Sequence, residues 1–140
     1  MTEQQRVLVQ QSMEKIIAVE SKAGEIFYTR FFELDPSIKK LFSIDMKEQG
    51  AKLIRMIHIA VNDIENKEEF IAKLKNLGRI HNTYNVKDEY YETFYKAFIA
   101  MVEIILGKDF TPELRIAWNA VFHQIASVMQ LAAHHAEAGL

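Results

Sequence analysis

The chain has 140 residues, 49% of them hydrophobic, and 17 basic against 19 acidic side chains leave a net charge of −2. That is enough apolar material for the core of one domain spanning 1–140, and with no basic block nucleic acid is excluded as a partner. The absence of cysteine excludes disulfides and thiolate-held metal, the polar, acidic start Met1-Thr2-Glu3-Gln4-Gln5 lacks the form of a signal peptide, and apolar runs such as Ala97 to Val102 are too short for a membrane span, so a cytoplasmic protein is expected.

Two prolines and five glycines in the whole chain point to an all-α fold, because both residues punctuate regular elements and both are scarce here. Thr2 with Gln5 reads as a capping box opening a first helix, with Val9, Met13, Ile16 and Ile17 at helical spacing. Ser21 opens a second helix, whose buried stripe is Ile26, Phe27, Phe31 and Leu34. Asp35-Pro36 reads as an N-cap with proline in the first turn, starting a short helix that brings Leu41 and Phe42 inward. After a polar corner at 43–48, a helix from about Glu48 to Ile64 carries Leu53, Met56, Ile57, Ala60 and Val61, and Asn62 to Asn66 form a polar turn. The stretch from Phe70 to His81 has helical spacing, with Phe70, Leu74, Leu77 and His81 on one face, whereas Asn82 to Val86 has no helical period. Asp88 caps a helix from about Glu89 to Leu106, with Gly107 as its left-handed stop. Thr111-Pro112-Glu113 begins the last helix, whose stripe is Leu114, Trp118, Val121, Phe122, Ile125 and Met129.

Three of the four residues on the 70–81 face are apolar, so the His81 imidazole points toward the core. Taken alone, such a histidine is ordinarily a packed core residue, since neutral imidazole tolerates burial. Upstream, however, Ile26-Phe27-Tyr28-Thr29-Arg30-Phe31-Phe32-Glu33-Leu34-Asp35-Pro36 runs on to Leu41-Phe42, and Gln49 and Leu53 follow one helical turn apart. With His81, this ensemble resembles the globins over essentially the whole chain, and within them the single-domain bacterial haemoglobins and the globin domains of flavohaemoglobins. The resemblance implies an all-α globin fold, a three-on-three sandwich of seven helices enclosing haem b. The shortened two-on-two form fits less well, because the first helix is complete and no glycine pair loosens the corners.

The roles that follow are those the resemblance implies. His81 is the axial ligand of the iron, with its second ring nitrogen donating to the Leu77 carbonyl. Phe42 stacks on the porphyrin. Leu77, Ile80, Val86, Tyr91 and Phe94 complete the cofactor's surroundings. Tyr28 and Gln49 are the two donors on the gas-binding side, with Leu53 packed beside the ligand. A donor to polarised dioxygen makes a charge-assisted hydrogen bond worth roughly 1.5–3 kcal/mol. Lys52 is a surface lysine or a partner for a haem propionate; desolvated, it is also a candidate sixth ligand. On the residues alone, Phe42 and Tyr28 also read as plain core and Gln49 as a solvated helix-start residue.

Flavohaemoglobins pair a tyrosine at the place of Tyr91 with a glutamate in the last helix, and Ala133 stands where that acid is expected. The axial imidazole is thus expected to lack anionic character. His58 and His123 read as surface or packing residues, and His134-His135 as solvated. The expected function is reversible dioxygen binding or transport and nitric oxide dioxygenation, with nitric oxide and carbon monoxide as further ligands. Because the chain ends at Leu140 without a flavin domain, a separate, unidentified reductase is expected to supply electrons. Two rivals belong to other classes: a haem sensor or electron carrier with a six-coordinate resting state, and a haem-free interaction module.

Overall fold

Thr2 and Gln5 start the first helix as a reciprocal pair. The Gln5 backbone N–H donates to Thr2 Oγ1 at 3.1 Å, and the Thr2 N–H donates to Gln5 Oε1 at 2.9 Å, satisfying groups that a helix start leaves open. The computed structural model in which this is seen describes residues 2–41, 46–62, 68–69, 71–73, 75–76 and 88–137, with backbone alone at 41, 46, 88 and 128–137. Helix α1 spans Glu3–Ile17 and buries Val9, Met13 and Ile16 completely.

Helix α2 spans Glu20–Leu34 and begins on Val19, which makes no side-chain cap, so Ser21 lies inside the first turn rather than opening the helix. Its buried face is Ala23, Gly24, Phe27, Tyr28 and Phe31. Ile26 is half-buried and Leu34, in the last turn, is 39% exposed. The expected stripe was therefore too narrow on one side and too long at its end. The cause is that α2 packs against two helices at once, which buries the small residues and Tyr28 as well as the phenylalanines.

Asp35 does cap the next segment: its Oδ1 accepts from the Ser37 N–H at 3.0 Å and from the Ser37 hydroxyl at 2.6 Å. Pro36–Leu41 is a 3₁₀ turn rather than an α-helix, and it brings Ile38 to 1% exposure. Helix α3 spans Met46–Asn62; it is already helical at Met46, ahead of the expected start at Glu48, and the expected end at Ile64 lies outside the described residues. Gly50, Ala51, Ile54 and Val61 are its buried residues among those described, whereas Met56 is 40% exposed. Only 68–69, 71–73 and 75–76 are described in the following stretch, and they are helical.

Helix α4 spans Asp88–Leu106, and Gly107 ends it at φ 55°, the left-handed conformation that glycine adopts without steric cost. A 3₁₀ turn at Gly107–Asp109 leads to helix α5, Pro112–Glu137. Thr111 caps α5, its Oγ1 accepting from the Leu114 N–H at 3.1 Å.

The helices form two layers. α1 packs on α3 in one, and α4 packs on both α2 and α5 in the other. The most extensive contact between layers is α2 on α3, followed by α1 on α5. One continuous apolar core fills the space between them, with Phe27, Ile54, Met101 and Trp118 among its members. A fully buried side chain of this size contributes roughly 1.5–3 kcal/mol. No strand occurs among the described residues, and no described helix is long and apolar enough to cross a membrane.

Candidate functional site

The α2–α3 contact is built on two glycines. A Cβ placed on Gly24 would lie 2.5 Å from Gly50 Cα, and one placed on Gly50 would lie 2.8 Å from Gly24 Cα. The two backbones therefore touch at a point where any side chain would force them apart. Tyr28 lies one helical turn after Gly24 and Gln49 directly precedes Gly50, so the crossing brings these two polar side chains together. The Gln49 side chain comes near enough to the Tyr28 hydroxyl to lower its pKa.

Tyr28 is 4% exposed. Burial raises its phenol above the ordinary value of 10.0, and the hydrogen bond with Gln49 offsets part of that rise. The hydroxyl consequently keeps its proton throughout the physiological range. It is a neutral hydroxyl, neither a base nor an anion. Gln49, only half-buried, carries two amide N–H groups. Its contact with the phenol occupies at most one of them, which leaves donor capacity on a half-buried side chain.

The surroundings are apolar and aromatic. Leu53, one turn after Gln49, is half-buried and packs against the core, as do Tyr91 and Phe94 on α4. Phe94 lies 4.7 Å from Phe27 and 5.8 Å from Phe31, ring centre to ring centre, and it stacks on Phe98 and Phe122 at 6.3 and 6.0 Å. Tyr28 itself meets Phe27 edge-on at 5.0 Å and Phe32 at 5.6 Å. Lys52 is exposed. Two neutral donors set among hydrocarbon and aromatic rings suit a small, weakly polar ligand, and they suit a large flat apolar group better than a phosphate or a metal ion bound by carboxylates. Among the described residues no three His, Cys, Asp or Glu side chains converge as a metal-binding group.

Of the residues singled out from sequence, Tyr28, Gln49, Leu53, Tyr91 and Phe94 sit on the two helices that flank this region or on α2 itself. Phe42, Leu77, Ile80, His81 and Val86 lie outside the described residues, as does the Ala133 side chain. His58 joins α3 to α1 through Glu14 Oε1 at 3.0 Å, and His123 is exposed beside Tyr95, in keeping with packing and surface roles. Sequence reasoning missed Gly24 and Gly50. The available signal was two isolated glycines inside otherwise helical patterns, each a mark of close backbone approach.

Comparison with known proteins gives a consistent result. The family model described as Globin matches residues 25–129. Flavohemoprotein of Rhizobium meliloti (strain 1021) is 28% identical over 106 residues, which make up 74% of this chain and 26% of that protein. The chain thus spans about a quarter of that relative's length. Neuroglobin of Danio rerio is 26% identical over 143 residues, covering 92% of this chain and 90% of that protein. Among solved structures, the hexacoordinated heme protein from an anhydrobiotic tardigrade, at pH 4, superposes with a TM-score of 0.85 at 18% identity over 96% of each chain. At that identity the likeness establishes the fold.

Proposed function

The chain belongs to the globin family, and from that premise we propose that it binds haem b through His81 and holds dioxygen under Tyr28 and Gln49. The observation that carries this reading is the buried Tyr28 hydroxyl set beside the half-buried Gln49 amide at the glycine crossing. Haem b would supply a redox-active iron able to take dioxygen, nitric oxide or carbon monoxide. Everything else is the work of the chain. Phe42, Leu53, Leu77, Ile80, Val86, Tyr91 and Phe94 would give it a largely apolar enclosure that excludes water, and Lys52, exposed on α3, would be available to a propionate.

Tyr28 and Gln49 orient the gas and retain it. Both donate as neutral groups, so their grip does not change with pH between 5 and 7. Two donors that share one acceptor are not additive, and Tyr28 is assigned the larger share because its ring is fixed by packing on Phe27 and Phe32. The activity this arrangement supports is dioxygen binding and transport, together with oxidation of nitric oxide to nitrate by dioxygen, the electron coming from a separate reductase. A cytoplasmic location suits that chemistry.

A second reading is a six-coordinate haem protein acting as a sensor or electron carrier, and the hexacoordinated tardigrade protein that shares this fold favours its six-coordinate state. The absorption spectrum of purified protein, with and without dithionite, tests both. A Soret band with one broad visible band on reduction supports the open site, and sharp split visible bands support six ligands. No Soret band after reconstitution overturns the haem assignment. His81→Ala should lose stable haem, measured as haem per chain. Near-stoichiometric haem with an unchanged spectrum would remove His81 from its role.

A further inference from the structure

The α2–α4 surface carries two confluent hollows, of about 640 and 240 Å³, on the outside of the core. Ile26 and Ile104 line both, and Val19 adjoins them in the smaller one. Ile104 is 62% exposed and Val19 39%, so the hollows share a solvent-facing apolar seam. Exposed apolar side chains are unremarkable singly, but gathered along one groove they mark a contact surface.

Charge divides sharply on either side of that seam. The smaller hollow has Lys15 and Lys22 on its wall and no carboxylate. The larger has Glu25, Glu33 and Glu103 with a single cation, Arg30. Counted over their lining residues alone, the lobes carry charges of equal size and opposite sign. Arg30 pairs with Glu33 at 3.4 Å, Lys15 with Asp109 at 3.3 Å, and Glu103 with Arg115, which leaves one charge in each lobe unpaired among the described residues. Lys22 and Glu25 are exposed and have no ion pair or hydrogen bond among the described residues.

A face with a basic lobe, an apolar centre and an acidic lobe is complementary to itself when turned through a half-rotation. This is the condition for a twofold contact, in which each patch meets its own copy in reverse. We propose that the α2–α4 face is a self-association surface: a second copy of this chain docks across the seam at Ile26 and Ile104, with the lysine lobe of each over the carboxylate lobe of the other. The contact lies on the outer side of α2, away from the α3 side that carries Gly24. It therefore couples two copies without covering the Tyr28–Gln49 pair.

Sedimentation velocity of the full-length protein over a concentration series tests this. The account expects a monomer of 16.3 kDa in equilibrium with a species of twice that mass, strongest at an ionic strength of about 10 mM and weakened at about 0.5 M, where exposed charges are screened. Ile104→Lys, at an exposed position that folding does not depend on, should weaken association by roughly tenfold or more. Lys15→Glu with Lys22→Glu makes both lobes acidic, and Glu25→Lys with Glu33→Lys makes both basic. Each double variant alone should be monomeric, and an equimolar mixture should restore the dimer as a one-to-one heterodimer. A wild type that stays monomeric throughout overturns the proposal, whatever other protein the face accepts. A dimer indifferent to Ile104→Lys, or charge variants that fail to recombine, overturns it equally.

Discussion

Two buried aromatic side chains carry a polar atom into the core, and they end differently. Trp118, 2% exposed, donates its indole N–H to Ser12 Oγ at 2.9 Å, and the Ser12 hydroxyl donates on to the Val9 carbonyl at 2.9 Å. Tyr28, 4% exposed, meets the Gln49 side chain. An indole has one donor and a hydroxyl one proton, so the Trp118–Ser12–Val9 chain has spent every hydrogen it owns. It is closed and structural, tying α5 to α1. At the α2–α3 crossing the amide of Gln49 keeps an N–H beyond whatever it gives the phenol, and Gln49 is half-buried where Ser12 is buried. Leftover donor capacity at an accessible edge separates a polar pair that can serve a ligand from one that only stabilises.

The harshest way to break this contrast is to remove the crossing that creates one side of it. Gly24→Ala puts a Cβ 2.5 Å from Gly50 Cα, and backbone cannot yield as a side-chain tip does. The helices must separate, at a cost of about 3 kcal/mol or more for so rigid an overpacking, read as a fall in the urea midpoint. The Tyr28–Gln49 bond should be lost with it.

Ser12→Ala attacks the closed pair instead. It leaves the Trp118 indole buried and unsatisfied, at about 1–3 kcal/mol, while gas dissociation stays as in wild type. An equal disturbance of gas kinetics would show that the two regions are not independent. The smallest effect concerns pH. Burial raises the Tyr28 pKa on folding, so the folded chain keeps a proton that the unfolded chain releases at high pH. The stability due to the neutral phenol is complete below the ordinary tyrosine value of 10.0 and is lost as pH rises through the higher folded value. Urea midpoints should show an alkaline decline that is shallower in Tyr28→Phe.

The closed region was far more legible in sequence than the open one. Val9, Met13, Ile16, Leu114, Trp118 and Val121 recur at helical spacing and are buried, because a helix with a single packed face writes its period plainly. The capping box at Thr2 and the stop at Gly107 were likewise read from local chemistry alone. α2 and α3 were less legible: α2 packs on two sides, which blurs its period, and Met56, assigned to the apolar face of α3, is 40% exposed. Tyr28 and Gln49 were singled out through a family resemblance, whereas their juxtaposition depends on Gly24 and Gly50, twenty-six positions apart. No periodicity within one helix records how closely it approaches another.

The central claim is that Tyr28 and Gln49 hold a gas ligand. Stopped-flow measurement of oxygen dissociation from haem-loaded wild type, Tyr28→Phe and Gln49→Leu tests it most directly. Tyr28→Phe should speed oxygen loss by roughly tenfold or more, as expected for a charge-assisted bond of about 1.5–3 kcal/mol, with a smaller rise in Gln49→Leu. Carbon monoxide, which carries little charge, should leave at nearly the wild-type rate. Oxygen dissociation unchanged in Tyr28→Phe would contradict the account and reduce Tyr28 to a second Trp118, a buried aromatic with a satisfied polar atom.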